Sequence, residues 1–198
     1  VTDAIDVAEL ERLKYEKVYA FPGYGAKGHG APIAGLLIER TRPGLLGDFG
    51  CGRGGSFRPY IEAGHRIQPI DHIDVLAAEW RTNPAVLPPV VANLWRDPLP
   101  AVDAGLCTDV MEHIPEAFVE KTLANIAAAV RGGCLWTVCH VPDVWGSRIN
   151  DRLHMTVQPE PWWTERMRKY WDRVEILRSV HGNTIYWTRH NGNVVVAR

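Results

Sequence analysis

A short apolar run that ends in an acid and breaks into glycines constrains this chain more than any other feature. Leu45-Leu46-Gly47-Asp48-Phe49 reads as a buried strand, and Gly50-Cys51-Gly52-Arg53-Gly54-Gly55 as the turn that leaves it. Glycine adopts φ > 0 without steric cost and lets a ligand lie against bare backbone. Two patterns overlap here. Gly50, Gly52 and Gly55 fit G-x-G-x-x-G, while Asp48, Gly50, Gly52 and Gly54 fit D-x-G-x-G-x-G. The first is the turn that carries a dinucleotide at the carboxyl end of a parallel strand. The glycines alone do not say which ligand the turn carries.

Elements alternate on either side of the turn. A helix over 3–19 is expected, with Ile5, Leu10, Leu13 and Val18 as its apolar stripe. Residues 21–30 are too rich in glycine for a core element. They are either a connector or a lid with Tyr24 or His29 reaching inward. A short helix over 32–41 follows, with Pro32 in its first turn. Beyond the glycines, Ser56 is the expected N-cap of a helix over 56–63. A second strand, 66–71, ends in Asp71, 21 residues past Gly50, where a carboxylate meets a ribose hydroxyl pair. Asp74 competes for that role, but Asp71 follows the apolar run directly. A helical turn over 75–80 leads to a third strand, 88–92. Asn93-Leu94-Trp95 closes it, where Leu94 and Trp95 either pack on a purine or belong to the core.

The remaining elements are a strand over 103–108, a helix over 116–130, and a continuously apolar strand over 134–139. A long loop, 140–160, precedes a helix over 161–171. Closing strands are expected over 174–180, 184–190 and 193–197, with turns at His181-Gly182-Asn183 and Asn191-Gly192. This order predicts an α/β fold, a doubly wound and mostly parallel sheet with an antiparallel finish.

Composition limits the partners. At 198 residues the chain fits one domain, and its net charge of −1 gives no footprint for nucleic acid or an anionic membrane. Cys51, Cys107, Cys134 and Cys139 show no metal or disulfide spacing. They suit a reducing compartment, and with no apolar run of membrane length and no signal-peptide pattern the expectation is a cytoplasmic protein. The eight tryptophans are expected mostly in the core, with some free to line a pocket.

Three segments together resemble the class I S-adenosylmethionine-dependent methyltransferases. They are Asp48-Phe49-Gly50-Cys51-Gly52-Arg53-Gly54, Asp71, and Asp109-Val110-Met111-Glu112-His113-Ile114-Pro115. The last is similar to a stretch of the ubiquinone-biosynthesis-like (methyltransferase type 11) branch, with Met111 where that branch has leucine. The resemblance covers about 45–139 and implies a seven-stranded sheet of order 3-2-1-4-5-7-6 with S-adenosylmethionine as cofactor. It implies that Gly50, Gly52 and Gly54 carry backbone against the methionyl part. Asp48 would orient the turn, Asp71 hold the ribose, and Asn93, Leu94 and Trp95 surround the adenine. Asp109 would stand near the methionyl end and the acceptor. Tyr24, Cys51, His72 and Val110 complete the implied cofactor site. A cationic sulfonium tolerates acids such as Asp48 and Asp109, whereas an anionic pyrophosphate does not, so a nicotinamide dinucleotide is the second choice.

Methyl transfer is an in-line displacement that needs a base only for some acceptors. Candidate catalytic residues are Asp109, His113, His140 and His154, with His113 also able simply to fix its turn, and Glu112 read as a structural carboxylate. No metal is expected. Segment 1–43 supplies N-terminal helices and a lid, and 140–172 is the expected acceptor-site insertion. The acceptor is expected to be a small molecule or a nucleoside-like group. Nucleic-acid methylation lacks both a basic footprint and the N/D-P-P-Y-type tetrad, since Asp109-Val110-Met111-Glu112 stands at that position. A non-catalytic partner subunit of the same fold is the alternative reading.

Overall fold

Parallel strands fix the architecture. A computed structural model describes residues 6–180 and 182–191. Strands β1 (Leu45–Phe49), β2 (Arg66–Asp71), β3 (Val90–Val91), β4 (Ala104–Thr108), β5 (Gly133–Cys139), β6 (Arg173–Val180) and β7 (Asn183–Arg189) form one sheet of order β3-β2-β1-β4-β5-β7-β6. β1 to β5 are parallel, and β7 runs antiparallel to both β5 and β6. This is the expected doubly wound sheet with an antiparallel finish. β6 and β7 are joined across 181–182, with Gly182 at φ +83°. The expected strand over 193–197 and the Asn191-Gly192 hairpin turn lie outside the described residues.

Side chains alternate across the sheet and feed two cores. Phe49, Ile70, Cys107 and Trp136 face one side, against α5 (Glu116–Ala129) and α6 (Glu160–Met167). Leu46, Ile67, Leu106 and Leu135 face the other, against α2 (Ala34–Ile38), α3 (Phe57–Glu62) and Trp80 of α4 (Ala78–Arg81). Five tryptophans, Trp80, Trp136, Trp163, Trp171 and Trp187, are buried. Trp136, one of two fully buried tryptophans, donates its Nε1–H to Thr188 Oγ1 at 2.8 Å, and Trp163 donates its own to the Gln158 carbonyl at 3.1 Å.

Several local expectations are corrected. The first helix is α1 (Val7–Tyr19), and its buried face carries Ala8, Glu11, Lys14, Tyr15 and Val18. Leu10 and Leu13 are 49% and 40% exposed. Glu11 and Lys14 go inside because they pair with each other, and Lys14 Nζ also donates to the Arg152 carbonyl at 3.0 Å. The helix expected over 32–41 is a 3₁₀ turn, Ala31–Ile33, followed by the short α2. Ser56 does not cap α3; its hydroxyl accepts the Gly30 N–H at 3.1 Å. The turn expected at 75–80 begins three residues later, at Ala78. The third strand shrinks to two residues because Pro88 and Pro89 bring no N–H to a ladder. Among the described residues, no helix is long and apolar enough to cross a membrane.

The corrected face of α1 sets a contrast in stability. Val18→Ala is expected to cost about 1–3 kcal/mol, whereas Leu10→Ala stays within about 0.5 kcal/mol. Urea unfolding with unchanged slope measures both.

Candidate functional site

β1, β2 and β4 end at one edge of the sheet, and their carboxyl ends open into a cleft of about 630 Å³, its open mouth included. Such edges are where doubly wound sheets bind ligands. The glycine turn forms one wall. Its first N–H groups are taken up by the end of β2. Gly50 and Cys51 donate to the Ile70 carbonyl at 2.8 and 3.1 Å, and Gly52 donates to Asp71 Oδ2 at 2.8 Å. Gly54 N–H closes the turn on the Cys51 carbonyl at 2.9 Å. A phosphate cradle needs such donors free, so this turn is a poor seat for a pyrophosphate.

All three glycines of the D-x-G-x-G-x-G pattern adopt positive φ: +81° at Gly50, +52° at Gly52 and +81° at Gly54. Their surroundings differ. A Cβ on Gly50 would stand 2.3 Å from Val110 Cγ2, on Gly52 it would meet the Tyr19 hydroxyl, and on Gly54 it would meet Trp80. Gly50 lines the cleft; Gly52 and Gly54 pack behind it.

Asp71 is buried at the tip of β2. Its Oδ1 lies 3.0 Å from His72 Nδ1 and accepts the Ile73 N–H at 3.4 Å. Asp48 is buried beneath the turn, where burial, with the Asp71 charge nearby, pushes its carboxyl up to about 8. Cys51 is also buried, and the same desolvation pushes its thiol up. Leu94 and Trp95 line the opposite wall, and Trp95 stacks on Phe118 with ring centroids 5.2 Å apart. Asn93 shapes that wall from beneath. It accepts the Trp95 N–H at 3.0 Å, while Asn125 donates to the Leu94 and Asp97 carbonyls at 2.9 and 2.8 Å.

Asp109 follows β4 in a left-handed conformation, φ +53°, that costs a non-glycine residue energy. Thr137 holds it there. The Asp109 N–H reaches the Thr137 carbonyl at 3.1 Å and Oγ1 at 2.9 Å, and the threonine hydroxyl donates back to Asp109 Oδ1 at 2.9 Å. The second carboxylate oxygen pairs with His29 Nδ1. Burial alone would raise the Asp109 carboxyl, but His29 and Thr137 more than offset it and hold it below the usual range.

That contact brings the glycine-rich loop into the site. Tyr24 lines the cleft, edge-on to Tyr19 and Trp145. Gly28 crosses Gly55 so closely that a Cβ on it would stand 2.0 Å from the Gly55 carbonyl carbon. Arg53 donates to the Tyr19 and Tyr24 carbonyls at 3.0 and 3.4 Å.

Of the four catalytic candidates, Asp109 and His113 line the cleft. His113 Nδ1 lies 3.1 Å from the Leu153 carbonyl, which can only accept, so Nδ1 carries the hydrogen and Nε2 keeps its lone pair. Burial, with His154 nearby, lowers its pKa to about 3, so the ring is neutral. His140 is not in the cleft. Its ring nitrogens are taken by the Gln158 carbonyl at 2.8 Å and Thr184 Oγ1 at 2.9 Å. His154 also lies outside, edge-on to His113 at 4.7 Å.

Residue-by-residue reading missed Glu11, Tyr15, Tyr19 and Ile114, which complete the lining. The first three recur every four residues on one face of α1, a spacing hidden by attention to aliphatic side chains. Among the described residues, Tyr15 OH and His72 Nε2 are buried without hydrogen-bond partners, and both belong to cleft-lining residues.

No family model matches the chain, and no curated protein does. Solved structures do. The chain is similar to a 1,6-didemethyltoxoflavin-N1-methyltransferase from Burkholderia thailandensis with bound S-adenosylhomocysteine. There the TM-score is 0.68 at 18% identity, over 96% of this chain and 93% of that one. It is also similar to DhpI in complex with S-adenosylhomocysteine, with TM-score 0.67 at 16% identity, over 94% and 96% of the two chains. A magnesium protoporphyrin IX methyltransferase from Synechocystis PCC 6803 gives TM-score 0.60 at 15% identity, over 96% and 90%. At these identities the likeness is one of fold: the sheet is that of the class I methyltransferases.

Two outcomes test this geometry. Gly50→Ala is expected to cost about 1–3 kcal/mol, measured by urea unfolding, because strain and the Val110 contact act together. The His29–Asp109 pair gives the loop a pH dependence. The His29 pKa is raised from 6.5, chiefly by Asp109, so its contribution is complete below 6.5 and is lost as pH rises through the raised value. The Asp109 share is lost only in acid, below the ordinary carboxylate value of 3.8. Amide exchange over 24–30, corrected for intrinsic rates, is expected to show more protection near pH 6 than above pH 8. His29→Asn removes the difference.

Proposed function

We propose that the cleft binds S-adenosylmethionine and that the chain transfers its methyl group to a small-molecule acceptor. One observation carries this reading. Gly50, Asp71, the Leu94–Trp95 wall and Asp109 share one cleft at the carboxyl ends of β1, β2 and β4. The donor set suits the cofactor. Acids face a ligand bearing ammonium and sulfonium charges, Asp71 can accept from a hydroxyl pair, and Tyr15 and His72 offer buried polar atoms that lack partners. When bound, the cofactor supplies an activated methyl carbon. The chain's own residues bind, orient and exclude water. Asp71 holds the ribose hydroxyls and Gly50 lets the ligand lie against backbone. Asp48, raised to about 8 while no cation is near, is held closer to ionisation by the ligand's positive charge. Tyr15, Tyr19 and Tyr24 close the cleft from the solvent side.

His113 then faces the acceptor. With its Nδ1–H committed to Leu153, its Nε2 accepts a hydrogen bond from the acceptor's X–H group. A conjugate acid near 3 makes it a weak base, so it orients the nucleophile and takes up the proton only once methylation has made that group strongly acidic. Segment 140–172 supplies acceptor specificity in this reading. Its support is local: Trp145 touches Tyr24, and the Leu153 carbonyl sets the tautomer of His113. The stretch 109–115 favours the ubiquinone-biosynthesis-like branch of the family.

Calorimetry tests the reading without knowledge of the acceptor. S-adenosylmethionine or its demethylated product is expected to bind one to one in the micromolar range, and a folded sample that binds neither overturns the proposal. Asp71→Ala is expected to weaken binding about tenfold or more, the loss of charge-assisted hydrogen bonds. His113→Ala leaves cofactor affinity within about threefold, because its hydrogen bond goes to the acceptor.

A further inference from the structure

A second polar cluster lies behind the cleft. Glu112 sits in the 3₁₀ turn after β4, Cys139 ends β5, and His154 belongs to the segment between β5 and α6. One ligand atom from each falls within 4.8 Å of the others. Glu112 is fully buried. Its Oε1 accepts the Cys139 N–H at 3.1 Å, and its Oε2 has no hydrogen-bond partner among the described residues. Its charged neighbour is Asp109, another acid. A buried carboxylate oxygen with neither donor nor counter-charge is costly.

The histidine is prepared for a cation. His154 Nδ1 lies 2.6 Å from the Val141 carbonyl, so Nδ1 carries the hydrogen and Nε2 is left with its lone pair. Its backbone is fixed as well: Asp143 Oδ2 accepts the N–H groups of Leu153 and His154 at 2.9 and 3.1 Å. Cys139 is half-buried at the sheet edge, with its thiol 3.7 Å from the Val141 carbonyl.

We propose that Glu112, Cys139 and His154 bind one divalent cation of the zinc type. A set of one oxygen, one sulfur and one nitrogen donor selects zinc or cobalt(II) over magnesium or calcium, which take oxygen alone. Three protein ligands leave a fourth tetrahedral position for water. Zinc-bound donors stand roughly 3.3–3.8 Å apart, so small side-chain rotations close the present spacing. Binding displaces two protons to solvent, one from the Cys139 thiol and one that burial holds on the Glu112 carboxyl, and places a positive charge against Glu112 Oε2; no redox change is involved. The ion ties the segment that carries His154, and with it the Leu153 carbonyl that orients His113, to the ends of β4 and β5. The site stands independently of the cofactor reading.

The test uses the full chain and the metals alone. Cobalt(II) titration is expected to give one thiolate-to-cobalt charge-transfer absorption per chain, abolished by stoichiometric zinc. Cys139→Ser removes the absorption, and His154→Ala and Glu112→Gln each weaken zinc binding tenfold or more. Zinc raises Tm in the native chain and not in Cys139→Ser. Glu112→Gln preserves shape, and circular dichroism verifies that each variant is folded. Absence of both the absorption and the Tm shift in the native chain overturns the site. So does an absorption that survives in Cys139→Ser, or zinc affinity unchanged in a folded Glu112→Gln and His154→Ala.

Discussion

The hydrogen bond from Gly52 N–H to Asp71 joins the two halves of the cleft, and much of the site depends on it. It completes a run of three donors, from Gly50, Cys51 and Gly52, that ties the glycine turn to the end of β2. The turn is therefore held by its neighbour strand before any ligand arrives. Its conformation needs positive φ at three positions, and the close approach of Val110, Tyr19 and Trp80 leaves no room there for a side chain. The turn is a structural joint whose outer surface forms one wall of the cleft. That distinguishes it from a phosphate loop, in which the same N–H groups face the ligand.

Four carboxylates lie buried or half-buried along this edge, and each is accommodated differently. Asp71 is held by Gly52 and His72. Asp109 is lowered by His29 and Thr137. Glu112 has only backbone N–H groups against it and Asp48 has the Asp71 charge nearby, and burial raises both. Desolvation outweighs the backbone hydrogen bonds at Glu112 and acts together with the Asp71 charge at Asp48, whereas specific partners outweigh it at Asp109. Acids without cations beside them are expensive to keep, and an edge that keeps several is suited to positively charged ligands.

Much of this was legible in the sequence because it is local. The strand-turn-helix at 45–62, the acid at the end of β2, and the alternation that predicts a parallel sheet all follow from short-range spacing. The seven-stranded order came with the resemblance and agrees with the strand-rich end. What failed was non-local. The apolar stripe of α1 pointed to Leu10 and Leu13, but the helix turns Glu11, Tyr15 and Tyr19 inward because a buried ion pair and the cleft receive them. Ser56 has the chemistry of an N-cap, yet a loop 26 residues upstream takes its hydroxyl. His140 sits at the correct sheet edge, but Gln158 and Thr184 claim both of its nitrogens. For Ser56 and His140 the residue type was informative, and the partner that decided its role lay too far along the chain to be read.

The loop over 21–30 was open to two readings, connector or lid, and the magnitudes separate its parts. Its inner end is pinned by buried contacts: Gly30 N–H on Ser56, the Tyr60 hydroxyl on the Gly30 carbonyl at 2.9 Å, and Gly28 against Gly55. Buried hydrogen bonds of this kind contribute about 0.5–1.5 kcal/mol each and are costly to leave unmade. The outer part, 21–27, rests on the aromatic edges around Tyr24 and on Arg53 at the Tyr24 carbonyl; His29, within the inner part, has a side chain 59% exposed, so its ion pair contributes no more than about 1 kcal/mol. Gly23 and Gly25, at φ +89° and +65°, stand on either side of Tyr24. On these contacts 21–27 is held more weakly than 28–30, whose buried hydrogen bonds seat the base of the loop on the glycine turn.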